Sequence, residues 1–359
     1  MRLCVVGNPG NRRVALFTAA AARAGLPTPQ LYPWRDVVLS GRVPGPGTLV
    51  RIESPGEDAE VDGLLRGPAT RVAEYGEILG TAAAHAGLRR ALDRVAAGGG
   101  ELLNQPEDIL TMSDKPRCHA VLSAAGVPVP PALKPVHSYQ ELRTAMRAAG
   151  WGRVFVKPAH GSSASGVLAL TASERRITVT TSTELADDGR LFNNLRLRRY
   201  EDEASIAAIV DRLGPDGLHV ERWFPKACLG DRVLDLRVVV TAGQPRHMVV
   251  RTSRSPLTNL HLGNARGDVA AVRAAAGEQA WEAAMRTCVE VARCFPRTLH
   301  VGVDLMFRVG WRRHAVAEVN AFGDLLPNVL ADGLDTYDAQ VATLTDGRYR
   351  RWAGGAAYG

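Results

Sequence analysis

No stretch of the 359 residues approaches the roughly 18 consecutive apolar positions that a membrane-spanning helix takes. The amino-terminal apolar run, Leu3 to Val6, is too short for the core of a signal peptide, so a cytoplasmic protein is expected. The five cysteines, Cys4, Cys118, Cys228, Cys288 and Cys294, form no CxxC pair and no histidine-paired zinc spacing. They read as scattered thiols in a reducing compartment, which excludes a disulfide framework. No basic stripe interleaved with aromatic residues is present, and with it goes the usual sign of a nucleic-acid interface. Internal repeats and low-complexity tracts are absent as well.

What is present is 46% hydrophobic residues, enough for a full core, on a chain long enough for roughly two or three domains. Lys and Arg number 44 against 37 Asp and Glu, a formal charge of +7, and the excess is arginine spread along the chain. Such a balance favours anionic partners, and nucleotide phosphates or carboxylates suit it better than DNA.

"RLCVVGNPGNRRVALFTAAAARAGL" reads as strand, glycine turn and helix, with Val14 and Phe17 at helical spacing and Gly25 as the stop. Its "GNPG" lacks the G-x-G-x-x-G spacing of a dinucleotide fingerprint, so a simple βα turn is expected. Residues 47–54 read as a second strand and 73–97 as a helix, and together they open an α/β domain. Gly98 to Gly100 and Pro106 then break the pattern. Ser113 is expected to cap a helix with Pro116 in its first turn and Gly126 at its end. Beyond it "VFVKP", "GVLAL", "RITVTT", "GLHVERWF", "DLRVVVTAG", "RHMVVRTS", "HVGVDLMFRV" and "HAVAEVNA" read as strands. "SIAAIVDRL" and the amphipathic "EQAWEAAMRTCVEVARCF" read as helices. The order predicts an α/β start followed by α+β.

Two segments carry chemistry. In "FVKPAHGSSASGVLAL", residues 155–170, two apolar strands are joined by Lys157, Pro158, His160 and a run of Gly and Ser. A tight hairpin needs only a two-residue turn. The longer loop exposes backbone N–H groups that want a partner, for which phosphate oxygens serve. Taken alone, the segment also suits a plain surface loop. The second segment is the acid Asp304 inside the apolar "VGVDLMF", with Glu318 and Asn320 in the apolar "AVAEVNA". A carboxylate in such a strand is costly unless paired or bound to a cation. Glu318 and Asn320 are two apart and share a strand face. If the two strands pair, two carboxylates and an amide oxygen form a hard oxygen site suited to Mg²⁺. An exposed polar face is the plain alternative, and the flanking Val and Ala argue against it.

Lys115 in "SDK", Lys157, Glu221 in "VERWF", "DLRVVV", Asp304 and the Glu318-x-Asn320 pair occur in an order that resembles the ATP-grasp enzymes. That superfamily includes D-alanine–D-alanine ligase, glutathione synthetase and the glutamate ligases that modify ribosomal proteins. The resemblance runs from about Asn104 to about Asp338, and "RTSRSPLTNLHLGNARGD" is closest to a bacterial subgroup apart from the best-known members. It implies an ATP-grasp fold with a Rossmann-like amino-terminal domain at 1–103. The same resemblance places a central subdomain with the phosphate loop at 104–218, a carboxy-terminal subdomain with the magnesium strands at 219–345, and a tail at 346–359.

Residue by residue, the resemblance implies that Lys115 and Lys157 contact ATP phosphates, with Lys157 also near the adenine. Gly161, Ser162, Ser163 and Gly166 would bring backbone N–H groups to the β- and γ-phosphates, where small residues let the chain approach. Glu221, Arg222 and Trp223 would form the main-chain edge for adenine. Asp235 matches the ribose acid of glutathione synthetase-like members; in D-alanine ligases that acid comes earlier, where this chain has Lys226 and Cys228. Arg237 matches the arginine that steadies the γ-phosphate. Arg251 and Asn264 match an Arg and an Asn near the phosphates in related ligases, with Arg254, Asn259 and His261 between them. Asp304, Glu318 and Asn320 would hold the metal.

The implied activity is ADP-forming carboxylate–amine ligation through an acyl phosphate, with ATP and Mg²⁺ as cofactors and small-molecule carboxylate and amine substrates, an amino acid or short peptide among them. No nucleic acid and no membrane partner is expected, and the oligomeric state, a homodimer included, stays open. Two alternatives remain: a kinase on the same fold, and a nucleotide-binding protein without catalysis.

Overall fold

The computed structural model describes residues 1–161, 164–322, 326 and 328–355. Three sheets carry the chain. The first is all parallel, in the order β2-β1-β3-β4, from β1 (Leu3–Gly7), β2 (Gln30–Pro33), β3 (Leu49–Ile52) and β4 (Glu101–Leu102). The second is antiparallel, in the order β8-β7-β6-β5-β9. Its strands are β5 (Arg153–Pro158), β6 (Leu168–Ala172), β7 (Ile177–Leu185), β8 (Leu191–Tyr200) and β9 (Leu218–Arg222). The third is antiparallel too, in the order β13-β12-β11-β14-β15, with a short strand β10 (Cys228–Leu229) beside β11. It contains β11 (Arg232–Thr241), β12 (Gln244–Ser253), β13 (Ala265–Gly267), β14 (His300–Phe307) and β15 (His314–Asn320). A parallel sheet followed by antiparallel ones is the α/β plus α+β order that the strand pattern predicted.

Local chemistry explains most element boundaries. The helices Ala59–Arg66, Glu203–Leu213, Val269–Ala276 and Thr336–Thr345 each begin after an aspartate whose side chain accepts from a backbone N–H of the first turn. The same holds for the helix Lys115–Ala124: its cap is Asp114, which accepts from Arg117 N at 3.0 Å, and not Ser113. Ser113 instead closes the preceding helix, donating to Ile109 O at 2.9 Å. The helix expected over 73–97 starts only at Thr81. Residues 76–78 lie along β8 instead, where Asn193 N donates to Gly76 O at 2.7 Å and Ile78 N to Leu191 O at 2.8 Å.

One face of the third sheet packs on the helix Glu278–Arg293, burying Leu234, Leu236, Val238, Val303 and Leu305 against Trp281, Cys288 and Val291. The second sheet buries Val154, Val156, Leu218 and Val220 against the helices Tyr139–Ala149 and Glu203–Leu213. Both sheets therefore keep one face for the core and leave the other for chemistry. Among the described residues no helix is long and apolar enough to cross a membrane.

Candidate functional site

Alternation along β11 sends Leu234, Leu236 and Val238 to the core and turns Asp235 and Arg237 to the opposite face. The strand register sets Asp235 opposite Arg251, Arg237 opposite Asp304, and Asp304 opposite Glu318. Directly opposed residues share a face. A row of charged side chains thus runs across β12, β11, β14 and β15.

A bulge makes the row possible. Asp304 pairs with Glu318 but Leu305 pairs with Val316, so Ala317 is the extra residue. With strict alternation Val316 and Val319 could not both enter the core while Glu318 and Asn320 face the cleft. The bulge also turns the Ala317 carbonyl toward Lys157, whose Nζ donates to it at 3.2 Å.

The charges interlock. Arg237 grips Asp304 with Nε and with Nη2, the latter at 3.1 Å. Arg251 spans two acids, reaching Asp235 Oδ1 at 2.6 Å and Asp304 Oδ2 at 3.1 Å. Lys226 donates to Asp235 Oδ2 at 3.1 Å and to Thr258 Oγ1 at 2.7 Å, and the Thr258 hydroxyl in turn bonds Asp235. Burial opposes ionising Asp235, but Arg251 and Lys226 overcome it and hold its carboxyl far below the usual range. Burial likewise opposes the Arg251 charge, and Asp235 with Asp304 more than offset it, so the guanidinium stays protonated. Burial pulls Lys226 below the ordinary lysine value, with Asp235 restoring it only in part.

From the second sheet, Lys157 on β5 and Glu221 on β9 face this row. Lys157 Nζ donates to Glu221 Oε2 at 2.7 Å. Burial acts against the Lys157 ammonium, yet Glu221 and Glu318 raise it above its ordinary value. Glu221, whose burial alone would raise it, is brought down to about 2 by Lys157 and His219. The loop after Pro158 returns to β6 as expected. Gly166 takes φ +72°, and a Cβ there would lie 2.5 Å from Pro158 Cγ. Lys115 Nζ reaches Gly161 O at 2.8 Å and Glu318 Oε1 at 3.4 Å, tying the loop to β15. Ser162 and Ser163 lie outside the described residues.

Lys115, Lys157, Gly161, Asp235, Arg251, Asp304 and Glu318 line one cavity, joined by Lys226, Leu257, Thr258 and Asn259. Among the described residues that line the cavity, Lys115, Lys157, Lys226 and Arg251 stand against the carboxylates of Asp235, Asp304 and Glu318, a charge balance suited to an anion. Asp304 and Glu318 stand opposite each other, with Asn320 on the same face beside Gly302. These are hard oxygen donors of the kind Mg²⁺ takes. Among the described residues no group of three or more His, Cys, Asp or Glu forms a further candidate metal site.

Other expected residues stand differently. Both oxygens of Asp235 are taken by Arg251, Lys226 and Thr258 and the residue is 3% exposed, so the ribose contact is closed in this arrangement. The Arg222 and Trp223 amides donate to Pro131 O at 2.8 Å and Arg153 O at 3.1 Å, which removes two N–H groups from the implied adenine edge. Asn264 is not in the cavity lining; its amide donates to Leu257 O and Asn259 O at 2.8 and 2.9 Å and braces the covering loop. That loop lies on the segment between β5 and β6, with Leu257 and Leu262 packed on Val167, Ala164 and Leu197. Arg254 is exposed and pairs with Asp231 at 2.7 Å, and the side chain of His261 lies outside the description. Sequence reasoning missed Thr258 and the bridging part of Lys226. A lysine in an apolar stretch with no acid beside it in sequence was the only signal.

No protein-family model and no curated protein matches the chain. Solved structures do. D-cycloserine synthetase DcsG superposes with a TM-score of 0.59 at 15% identity, over 97% of this chain and 100% of that one. The ATP-grasp ligase PsnB complexed with minimal precursor, Mg and ADP gives 0.54 at 17% identity, over 95% and 96%. D-alanine–D-alanine ligase from Bacillus anthracis complexed with ATP gives 0.54 at 12% identity, over 98% of both chains. A likeness over the whole length of each shows that the chain has the ATP-grasp fold.

Proposed function

We propose that the chain is an ADP-forming carboxylate–amine ligase that uses Mg²⁺ and ATP. The observation that carries this reading is the placement of Lys157 against the Arg237–Asp304–Glu318 row across one cleft. Lys115, Lys157 and the backbone from Gly161 to Gly166 bind the phosphates. Asp304, Glu318 and Asn320 hold Mg²⁺, which supplies charge neutralisation at the phosphates. Arg237 and Arg251 meet the charge that develops as the γ-phosphoryl leaves ADP for a carboxylate oxygen. The carboxylate becomes an acyl phosphate; an amine then attacks its carbonyl carbon, loses a proton and expels inorganic phosphate. Positioning and electrostatic stabilisation account for such a reaction without an acid–base side chain in the lead.

The similar solved structures include a D-cycloserine synthetase, a D-alanine–D-alanine ligase and the ligase PsnB, which is also solved with a precursor peptide. They support amino acids or peptides as the substrate class. The test is ADP release with Mg²⁺ and ATP against a panel of amino acids, small carboxylates and short peptides, with product mass. In the active mixture hydroxylamine should trap a hydroxamate, and ¹⁸O from the carboxylate should appear in the released phosphate. A stable phosphoester without label transfer would make the protein a kinase.

A further inference from the structure

His219 has no part in the reaction proposed above, yet it lies beside the lysine of that site. β9 and β5 pair so that His219 lies directly opposite Lys157 and Glu221 opposite Phe155. The alternating partners Val154, Val156, Leu218 and Val220 are in the core. Lys157, His219 and Glu221 therefore share the cleft face of the sheet. His219 is 4% exposed. Its Nε2 lies 3.0 Å from Glu221 Oε1, while the other oxygen of the same carboxylate takes Lys157 at 2.7 Å. The ring of His119, fixed by Nε2 at 2.8 Å from Pro130 O, stands 5.2 Å from the His219 ring.

We infer that His219 is a positioning residue for the phosphate-binding lysine and that it acts through Glu221. The inference rests on the nucleotide reading of the cleft. Charged Glu221 has two oxygens and one dominant cation beside it. Left alone, such a carboxylate turns both oxygens on the ammonium or rotates about its last torsion, which is soft. A donor on one oxygen fixes the carboxylate plane and leaves a single oxygen for Lys157. Burial keeps His219 below the ordinary histidine value, so it acts as a neutral N–H donor and adds no competing charge. Lys157 then spends one N–H on Glu221 and one on the Ala317 carbonyl at 3.2 Å. An ammonium has three donors, and the third remains for a phosphate oxygen in the cavity that Lys157 lines.

The test uses the full chain, calorimetric binding of Mg·AMPPNP, and thermal melting. His219→Ala should weaken AMPPNP binding about tenfold, the effect of losing one hydrogen bond to a charged group. His219→Gln, which keeps a donor, should recover most of it. In a Glu221→Ala background His219→Ala should add nothing, because its route to Lys157 is gone. A merely structural histidine would lower the melting temperature of both variants without this ordering of affinities. Wild-type affinity in His219→Ala, or His219→Gln as weak as His219→Ala, overturns the inference and leaves the nucleotide reading standing. Failure of the wild-type chain to bind Mg·AMPPNP overturns the reading itself, and the inference with it.

Discussion

Arg251 and Asp304 are joined at 3.1 Å across the strand between them, and the same guanidinium holds Asp235 at 2.6 Å. Together with Arg237, it leaves Asp304 neutralised by protein in the ligand-free chain. Under the proposed function, the arginines assigned to the phosphates thus occupy the place of the metal in the ligand-free chain.

Metal and nucleotide should therefore bind together. Mg²⁺ alone should give little heat in calorimetry, since it competes with two guanidinium groups for Asp304. With ADP present, whose phosphates draw the arginines away, binding should be plain. Equal Mg²⁺ affinity with and without ADP would contradict this.

The two carboxylates proposed for the metal should differ as mutants. Glu318 has a 33% exposed side chain and pairs with Lys115 among the described residues, so Glu318→Gln should melt close to wild type and lose more than about 100-fold in turnover. Asp304 has a 7% exposed side chain, and neutralising it weakens its ion pairs with Arg237 and with the buried Arg251, which keeps Asp235. Asp304→Asn should cost on the order of 3 kcal/mol of stability as well as activity. Melting curves set beside ADP-release rates separate the two effects.

The loop glycines should also part company. At Gly161 the nearest atom to an added Cβ is 3.9 Å away, so only its φ of +149° resists substitution. Gly161→Ala should lower AMPPNP affinity several-fold and stability by about 1 kcal/mol. Gly166→Ala meets Pro158 at 2.5 Å with φ +72° and should cost roughly 2 kcal/mol of fold in addition. Similar melting temperatures for the two variants would contradict the packing read at Gly166.

How much of this was legible in sequence follows from distance along the chain. The Asp304 and Glu318-x-Asn320 strands are a local hairpin, so their acids could be expected together, while the bulge at Ala317 that sets their register was not legible. The return from Lys157 through the glycine loop to Leu168 was legible for the same reason. Asp235 was not, because its partners Lys226, Arg251 and Thr258 arrive from three segments and only the folded register brings them onto it. The cap at Asp114 was missed because Ser113 beside it satisfied the same preference. Residues 73–80 do carry breakers, Gly76 and Gly80, which take φ of 78° and 59°, but the pull of β8 that holds residues 76–78 is tertiary and not written in that segment.

Acid stability should depend on His300. It is buried beside Arg51, and burial first, then that guanidinium, depress it from 6.5 to about 3. Between those values the unfolded chain binds a proton there that the folded chain refuses, so stability falls as pH drops from about 6.5 toward about 3. The slope from this one group reaches roughly 1.4 kcal/mol per pH unit. Urea unfolding of His300→Gln between pH 6 and pH 4.5 should show a slope shallower by about that amount. An unchanged slope would mean that the histidine is protonated in the fold.

Arg237 offers the sharpest test of chemistry. Its side chain lies against Asp304, and under the proposed function its charge is worth most when the γ-phosphoryl is between oxygens. Arg237→Ala should slow hydroxamate formation about 100- to 1000-fold while AMPPNP affinity falls far less, because the interaction strengthens in the transition state. Asp304 loses a partner in that variant, so its melting temperature must be read alongside. Arg237→Lys restores a charge to Asp304 and should restore most of the stability. It should recover only part of the rate, since an ammonium lacks the planar fork that meets two oxygens at once. Full recovery by lysine would reduce Arg237 to a counter-charge for Asp304. A rate loss matched by an equal loss of AMPPNP affinity would place its contribution in ground-state binding, and the phosphoryl-transfer role would pass to Arg251.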